Sequence, residues 1–116
     1  HPRVGKWVQL GGHCEPDDGS IEAAALREAL EESGIAGLEL APGPVHLHTH
    51  PITCSLGVPT RHLDVRFVAV APQTPDGALP EVVCSDESLD LRWFPLNELP
   101  NAELEPLATA ALNRLA

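Results

Sequence analysis

The segment IEAAALREALEES, residues 21–33, constrains the fold most, because it combines a helical pattern with clear start and stop signals. Ser20 precedes the segment, and serine is among the residues that cap helix N-termini with a side-chain oxygen. Gly34 follows it and can adopt the left-handed conformation in which many helices end. The sequence therefore predicts one helix over residues 21–33.

The acidic side chains of this helix fall on one face. With about 100° per residue, Glu28, Glu31 and Glu32 lie within an arc of about 100°, and Leu26 and Leu30 lie on the opposite side. Neighbouring carboxylates repel one another, whereas hard divalent cations such as Mg²⁺ prefer oxygen ligands of this kind. The helix alone leaves two interpretations open: a metal-binding face or an ordinary solvated face.

The loop before the helix favours the metal-binding interpretation. The stretch GGHCEPDDGSIEAAALREALEESGI, residues 11–35, resembles the signature of the Nudix hydrolases, in which glycine, glutamate and arginine recur at fixed spacings. Trp7 and the pair Gly11-Gly12 match the usual residues ahead of that signature. The matching residues of the second half are Arg27, Glu28, Ala29, Glu31, Glu32, Gly34 and Ile35.

The loop departs from the signature in residue type and in length. Five residues separate Gly12 from Asp18, which stands where the family has glutamate, and eight residues rather than seven separate Asp18 from Arg27. We predict that Asp18 forms the ion pair with Arg27 that the family's glutamate forms. The spacing leaves Asp17 open as the alternative.

The resemblance implies a metal-dependent hydrolysis. Family members use Mg²⁺ or Mn²⁺ to cleave a nucleoside diphosphate linked to another moiety. Carried over to the matching positions, the metal ligands would be Glu28, Glu31, Glu32 and the Gly12 carbonyl, while Arg27 would orient the loop.

The general base is open between two carboxylates, Glu31 and Glu87. Glu87 lies six residues before Trp93, where the family often has a further metal ligand or general base. A bound divalent ion lowers the pKa of its water, and either carboxylate could then accept the proton. The alternative for Glu87 is an ordinary polar residue of a loop.

The remaining pattern predicts an α/β (α+β) fold. Alternating residues predict strands at 45–50, 62–71 and 89–94, a short strand or extended segment at 4–10, and an amphipathic helix at 103–115. The stretch 51–60 is typical of a loop. The resemblance implies the Nudix α/β/α sandwich with a mixed β-sheet.

We expect a single Nudix domain over residues 1–116, because this length suits one hydrophobic core. The chain has no Met, and only ten residues precede the signature. We therefore expect that N-terminal strands of the family are absent from this sequence. The alternative is that a partner, as in a homodimer, or an unusual strand pairing covers the exposed edge of the sheet.

Charge and cysteine content restrict the partners. A net charge of −10 repels phosphate backbones, so we expect no nucleic-acid binding, and an anionic substrate would need a bridging cation. No apolar run approaches the roughly 18 residues of a membrane span, so no membrane contact is expected. The widely spaced Cys14, Cys54 and Cys84 predict free thiols and a cytoplasmic location.

Some residues outside the helix are candidates for substrate contact. His46, His48 and His50 share a strand face, and His62 follows on the next strand. They would line a pocket or face water, and a transition-metal site is the alternative. We predict that His50 and His62 contact a substrate phosphate or base. Trp7 would stack a base or pack in the core.

The leading hypothesis is a Mg²⁺-dependent pyrophosphohydrolase acting on a small-molecule nucleotide diphosphate derivative. The substrate class includes nucleotide sugars, ADP-ribose and nucleoside triphosphates. The alternative is a catalytically weak Nudix-fold domain that binds nucleotides or regulates. A domain that only binds has no need of the full set of metal-binding carboxylates, so the enzyme hypothesis leads.

Overall fold

The first helix, α1 (Ile21–Ser33), forms where the sequence predicts it in the computed structural model, which describes residues 5–53, 57–86 and 88–115. The Ser20 hydroxyl accepts a hydrogen bond of 3.1 Å from the Ala23 amide, so the helix begins with an N-cap. Gly34 has a φ of 68° and donates its amide to the Leu30 carbonyl at 2.9 Å. Both ends of α1 are therefore set by local capping.

In the described part of the chain, four strands follow α1 and pair in two antiparallel ribbons. Their bounds are β1 (Glu39–Leu40), β2 (His46–Thr53), β3 (Pro59–Arg66) and β4 (Ala69–Val70). The short β1 pairs with β4, and the long β2 pairs with β3 over its whole length, with His50 opposite His62. Helices combined with antiparallel strands form a mixed α+β fold, which confirms the predicted class.

The long hairpin extends further than its sequence indicates. Residues 51–60 were predicted to form a loop, yet β2 continues through Pro51 to Thr53, and β3 begins at Pro59. Proline lacks an amide donor, but each strand of a two-stranded ribbon has an unpaired edge where proline is tolerated. The prediction of one strand over 62–71 was wrong, because this stretch is divided between two strands. The strand β3 ends at Arg66, and β4 begins at Ala69.

The strand predicted at 89–94 does not form. Asp90 accepts a 2.7 Å hydrogen bond from the Leu91 amide and forms an ion pair of 2.9 Å with Arg92. Such local bonds of an aspartate compete with the hydrogen bonds of a strand. Leu89 is 77% exposed, so the alternating leucines do not mark a buried face. Residues 5–10, the described part of the segment 4–10, form no strand either.

The C-terminal helix, α2 (Glu105–Leu115), follows a single 3₁₀ turn at Ala102–Leu104, in agreement with the prediction for 103–115. Next to this turn, the Asn101 amide group donates to the Trp7 carbonyl at 2.7 Å. The Arg114 guanidinium near the other end donates to backbone carbonyls of residues 42 and 44. Among the described residues, no helix has the length and apolar character needed to cross a bilayer.

Two of the four buried residues in the described part of the chain, Ser33 and Ile35, lie at the C-terminal end of α1. Ser33 is almost fully buried, and its hydroxyl donates to the Ala29 carbonyl at 2.6 Å and accepts from the Ile35 amide at 3.1 Å. The Ser33 carbonyl accepts a 2.7 Å hydrogen bond from the Val83 amide. Ile35 is buried beside it. These bonds fix the end of the helix against the segment around residue 83.

Candidate functional site

The Arg27 guanidinium connects the loop to the acidic face of α1. Its Nε and Nη2 atoms donate to the two carboxylate oxygens of Asp18 at 2.9 and 3.1 Å, which is a bidentate pair. Its Nη1 atom contacts Glu28 at 3.0 Å and Glu31 at 3.2 Å. Nη2 also donates to the His13 carbonyl at 3.1 Å. We call Asp18, Arg27, Glu28 and Glu31 the Arg27 network.

Asp18 is held by the loop as well as by the arginine. Its carboxylate accepts a 2.7 Å hydrogen bond from the Glu15 amide, and its side chain is only 9% exposed. The Arg27 guanidinium and then the Glu15 amide lower the pKa of the Asp18 carboxyl below its ordinary value. Asp18 in turn raises the pKa of Arg27. Of the two loop aspartates, Asp18 makes the contact with Arg27, whereas Asp17 is exposed.

The glycine pair brings the loop backbone against the carboxylates of the helix. The Gly11 amide donates to Glu32 at 3.2 Å. A Cβ added at Gly12 would overlap the carboxylate of Glu28, so a side chain at this position would displace that group. Gly12, Glu28 and Glu32, three of the predicted metal ligands, are therefore gathered around one stretch of loop backbone.

The donor set and the local charge fit a hard divalent cation. The carboxylates of Glu15, Asp18, Glu28 and Glu31 all lie within 3.5 Å of the single Arg27 guanidinium, so negative charge exceeds positive charge. Carboxylates together with a backbone carbonyl are ligands that Mg²⁺ and Mn²⁺ accept. The side chain of Glu28 is 12% exposed and that of Glu31 is 56% exposed. The acidic face of α1 therefore has one carboxylate covered by the loop and one open to solvent.

The NUDIX domain family model matches residues 1–115 of the chain. The chain belongs to the Nudix family. The match confirms the resemblance carried by residues 11–35.

A curated Nudix relative points the same way. Over 83 residues the chain is 34% identical to the m7GpppN-mRNA hydrolase NUDT17 of Xenopus laevis. The matched region covers 70% of this chain but only 28% of the relative, so the chain spans less than a third of that protein. No solved structure matches the chain.

Glu87 and Trp7, which were also predicted for the site, are not part of the Arg27 network. Glu87 lies outside the described residues, so its role stays a prediction. The Trp7 ring packs edge-on against Phe94 with ring centroids 4.9 Å apart, and the Arg92 guanidinium lies 5.4 Å from its centroid. These contacts are those of a packing residue, and base stacking by Trp7 stays a prediction.

His50 and His62 meet on the hairpin next to the loop before α1, residues 11–20, which we call the Nudix loop. Their ring centroids are 5.3 Å apart, and the His62 ring lies at the same distance from the ring of His13. His13 belongs to the loop whose carbonyl receives the Arg27 hydrogen bond. The structure therefore brings both predicted substrate contacts to the side of the molecule that carries the Nudix loop.

The sequence pattern did not single out His13 and Asp64. Asp64 lies two residues after His62 and faces His48 across the hairpin, so it joins the histidines on one strand face. Period-two spacing along β3 was the available signal for Asp64. For His13 no signal was available, because its neighbours come from a strand about 50 residues later in the chain.

Proposed function

We propose that this chain is a Mg²⁺- or Mn²⁺-dependent pyrophosphohydrolase that cleaves a nucleoside diphosphate linked to another moiety. The observation that carries the proposal is the Arg27 network, in which one guanidinium orients the loop aspartate and two helix carboxylates beside the glycine pair. Membership of the Nudix family supports the same reaction class. We take residues 1–116 as one Nudix domain.

In this mechanism, Glu28, Glu31, Glu32 and the Gly12 carbonyl would hold the metal. The ion would supply positive charge against the pyrophosphate and would make water more acidic there. Arg27 keeps Glu28 and Glu31 at fixed positions, and its pair with Asp18 fixes the loop that carries Gly12. The positioned carboxylates therefore need little rearrangement when the substrate binds.

The proton of the attacking water passes to a carboxylate. Glu31 is a suitable acceptor, because its contact with Arg27 is through Oε2 and its side chain is more than half exposed to solvent. Glu87 is the second candidate from the family pattern. Comparing the pH profiles of turnover for Glu31→Gln and Glu87→Gln separates the two, because only loss of the base removes the acidic limb of the profile.

The name of the Xenopus relative adds the mRNA cap to the candidate substrates. A cap is a nucleotide joined through phosphoanhydride bonds, as are nucleotide sugars, ADP-ribose and nucleoside triphosphates. The net charge of −10 disfavours binding to a long phosphate backbone, so we propose a small nucleotide derivative or a cap dinucleotide as substrate. His50, His62 and Trp7 are proposed to contact it.

The test is a panel assay of the purified chain with Mg²⁺. The compounds are ADP-ribose, a nucleotide sugar, a nucleoside triphosphate, a methylated cap dinucleotide and a short capped RNA. We expect nucleotide release from at least one small compound and a loss of about 10-fold or more in Glu32→Gln. The matched control is Glu22→Gln, an exposed carboxylate in the first turn of α1, which should retain turnover.

Two outcomes would contradict the proposal. One is the absence of product from every compound, and the other is equal turnover in Glu32→Gln and the parent chain. Nucleotide binding in calorimetry without any turnover would instead favour the domain that only binds or regulates. Cleavage of capped RNA in preference to the cap dinucleotide would overturn the expectation that nucleic acid is not a partner.

A further inference from the structure

Three side chains on the β2–β3 hairpin converge on one point outside the Arg27 network. His48 lies directly opposite Asp64 in the antiparallel register, and His50 follows two residues later on the same face. The Nδ1 atoms of His48 and His50 lie 3.6 and 3.3 Å from the same Asp64 oxygen, Oδ2. All three donor atoms lie within 4.8 Å of one another.

The two distances to the Asp64 oxygen are close to those between neighbouring ligands of one ion. Both exceed the 2.7–3.2 Å that is usual for an N–H···O hydrogen bond. In a tetrahedral site with metal–ligand bonds of about 2.0–2.1 Å, neighbouring ligand atoms are about 3.3 Å apart. We propose that His48, His50 and Asp64 form a second metal site, for a transition-metal ion of the Zn²⁺ class.

The donor chemistry separates this site from the acidic face of α1. Two imidazoles and one carboxylate suit Zn²⁺ and related ions, whereas carboxylates and carbonyls suit Mg²⁺ and Mn²⁺. His48 is exposed and the other two ligands are partly exposed, so a fourth position is open to water or to a ligand from solution. The two sites share no residue and prefer different ions.

Arg66 determines which histidines belong to the site. Its Nη1 atom lies 3.0 Å from Nδ1 of His46. Because a guanidinium can only donate, this nitrogen accepts the hydrogen bond and its lone pair is occupied. Its Nη2 atom lies 3.5 Å from the Asp64 oxygen, where its charge competes with an ion. His46 is therefore a neighbour of the site rather than a ligand, although it shares the strand face.

The two ring nitrogens of His50 can bind different groups, one the ion and the other the substrate. Its Nδ1 faces Asp64, and its ring lies edge-on to His62, which in turn lies edge-on to His13 of the Nudix loop. An ion on Nδ1 leaves Nε2 for the substrate contact proposed above. The second site would thus also hold the orientation of a residue that faces the Nudix loop.

The test is a calorimetric titration of the full chain with Zn²⁺ in excess Mg²⁺, which occupies oxygen-rich sites. We expect one Zn²⁺ bound per chain, and Co²⁺ used as a probe should give the visible absorption of a nitrogen-ligated ion of low coordination number. His48→Ala and Asp64→Asn should each weaken Zn²⁺ binding about 10-fold or more, since even loss of an outer-shell group costs that much. Far-UV circular dichroism verifies that each variant remains folded.

The controls identify the site. His46→Ala should retain the Zn²⁺ affinity of the parent chain, and Glu28→Gln/Glu32→Gln should retain it as well. The proposal is overturned if no Zn²⁺ binds, or if folded His48→Ala and Asp64→Asn bind it as tightly as the parent chain. An equal loss in His46→Ala would show unspecific binding to surface imidazoles, and a loss in the glutamate variant would place the ion on α1; both results also reject the site.

Discussion

The Arg27 network and the histidine face of the hairpin are organised in opposite ways. On α1 a single guanidinium is surrounded by carboxylates, so negative charge is in excess. On the hairpin a single carboxylate, Asp64, lies beside His48, His50 and Arg66, and the Arg66 guanidinium offsets its charge. We propose that the first region attracts a hard cation through its excess charge, and that the second holds an ion through imidazole nitrogens together with the Asp64 carboxylate.

The largest effect is expected from removing the cation at the centre of the network. Arg27→Gln removes the guanidinium that contacts the three carboxylates of the network and also Glu15. Turnover should therefore fall about 10-fold or more. Arg27→Lys should restore little of it, because an ammonium group cannot form the bidentate pair with Asp18. Measurement of kcat and KM for the two variants tests both statements.

Arg61 on the hairpin provides the control for charge alone. Its guanidinium donates a hydrogen bond of 3.3 Å to the Thr49 hydroxyl, and its side chain is exposed. Arg61→Gln changes the net charge as Arg27→Gln does, and it should keep the turnover of the parent chain. Equal losses in the two variants would show that net charge, rather than the network, controls the reaction.

The second effect concerns the approach of the loop to the helix. Gly12→Ala places a Cβ where the Glu28 carboxylate lies, so the proposed metal ligands should separate. We expect a rise in the Mg²⁺ concentration needed for half-maximal turnover, measured by metal titration. Gly19→Ala in the same loop is the matched control, because a Cβ there meets no atom within 4 Å. Identical titration curves for Gly12→Ala and the parent chain would contradict the proposed site.

The third effect depends on pH. Folding lowers the pKa of Asp18, so the stability that this carboxylate contributes is fully present above its ordinary pKa of 3.8. That contribution is lost as the pH falls through the lower pKa of the folded state. Urea unfolding should therefore show a stability gap between the parent chain and Asp18→Asn that closes in acid. Asp17→Asn, at an exposed position, should show no such gap, and a gap that persists at the lowest pH would refute the assignment.

The smallest effect is expected for an ion pair outside both regions. Asp90 and Arg92 form a pair of 2.9 Å, but their side chains are largely exposed. Asp90→Asn should change the free energy of unfolding by no more than about 0.5 kcal/mol. A larger change in a thermal or urea melt would contradict this prediction. It would show that an isolated surface pair contributes as much to the free energy of unfolding as a pair within the Arg27 network.

Local signals in the sequence predicted local structure well. The bounds of α1 follow from Ser20, Gly34 and the helical period, all of which act within a few residues. The strand predicted at 89–94 failed because strand formation needs a distant partner, and alternation alone does not supply one. Pro51 and Pro59 led to a loop prediction where the hairpin continues. The free-energy cost of a proline in a strand depends on whether its edge of the strand is paired, and the local sequence does not show this.

The same distinction applies to the candidate site. Spacing indicated Asp18 as the partner of Arg27 but left Asp17 open, and the choice depends on the path of the loop backbone. The gathering of His13 and Asp64 with the other histidines depends on how the loop and the hairpin meet in space. The roles of the carboxylates come from the Nudix resemblance and stay proposals until the variants are assayed.

The buried end of α1 has a consequence for motion. The Ser33 hydroxyl and carbonyl bond to three backbone groups there, whereas the N-terminal end of α1 is held by an exposed Ser20 cap. Local opening of the helix should therefore begin at its first turn, and the amide of the buried Ile35 should exchange its hydrogen slowly. Glu31 and Glu32 lie next to the slow end, so the backbone of these carboxylates stays in place when the first turn opens.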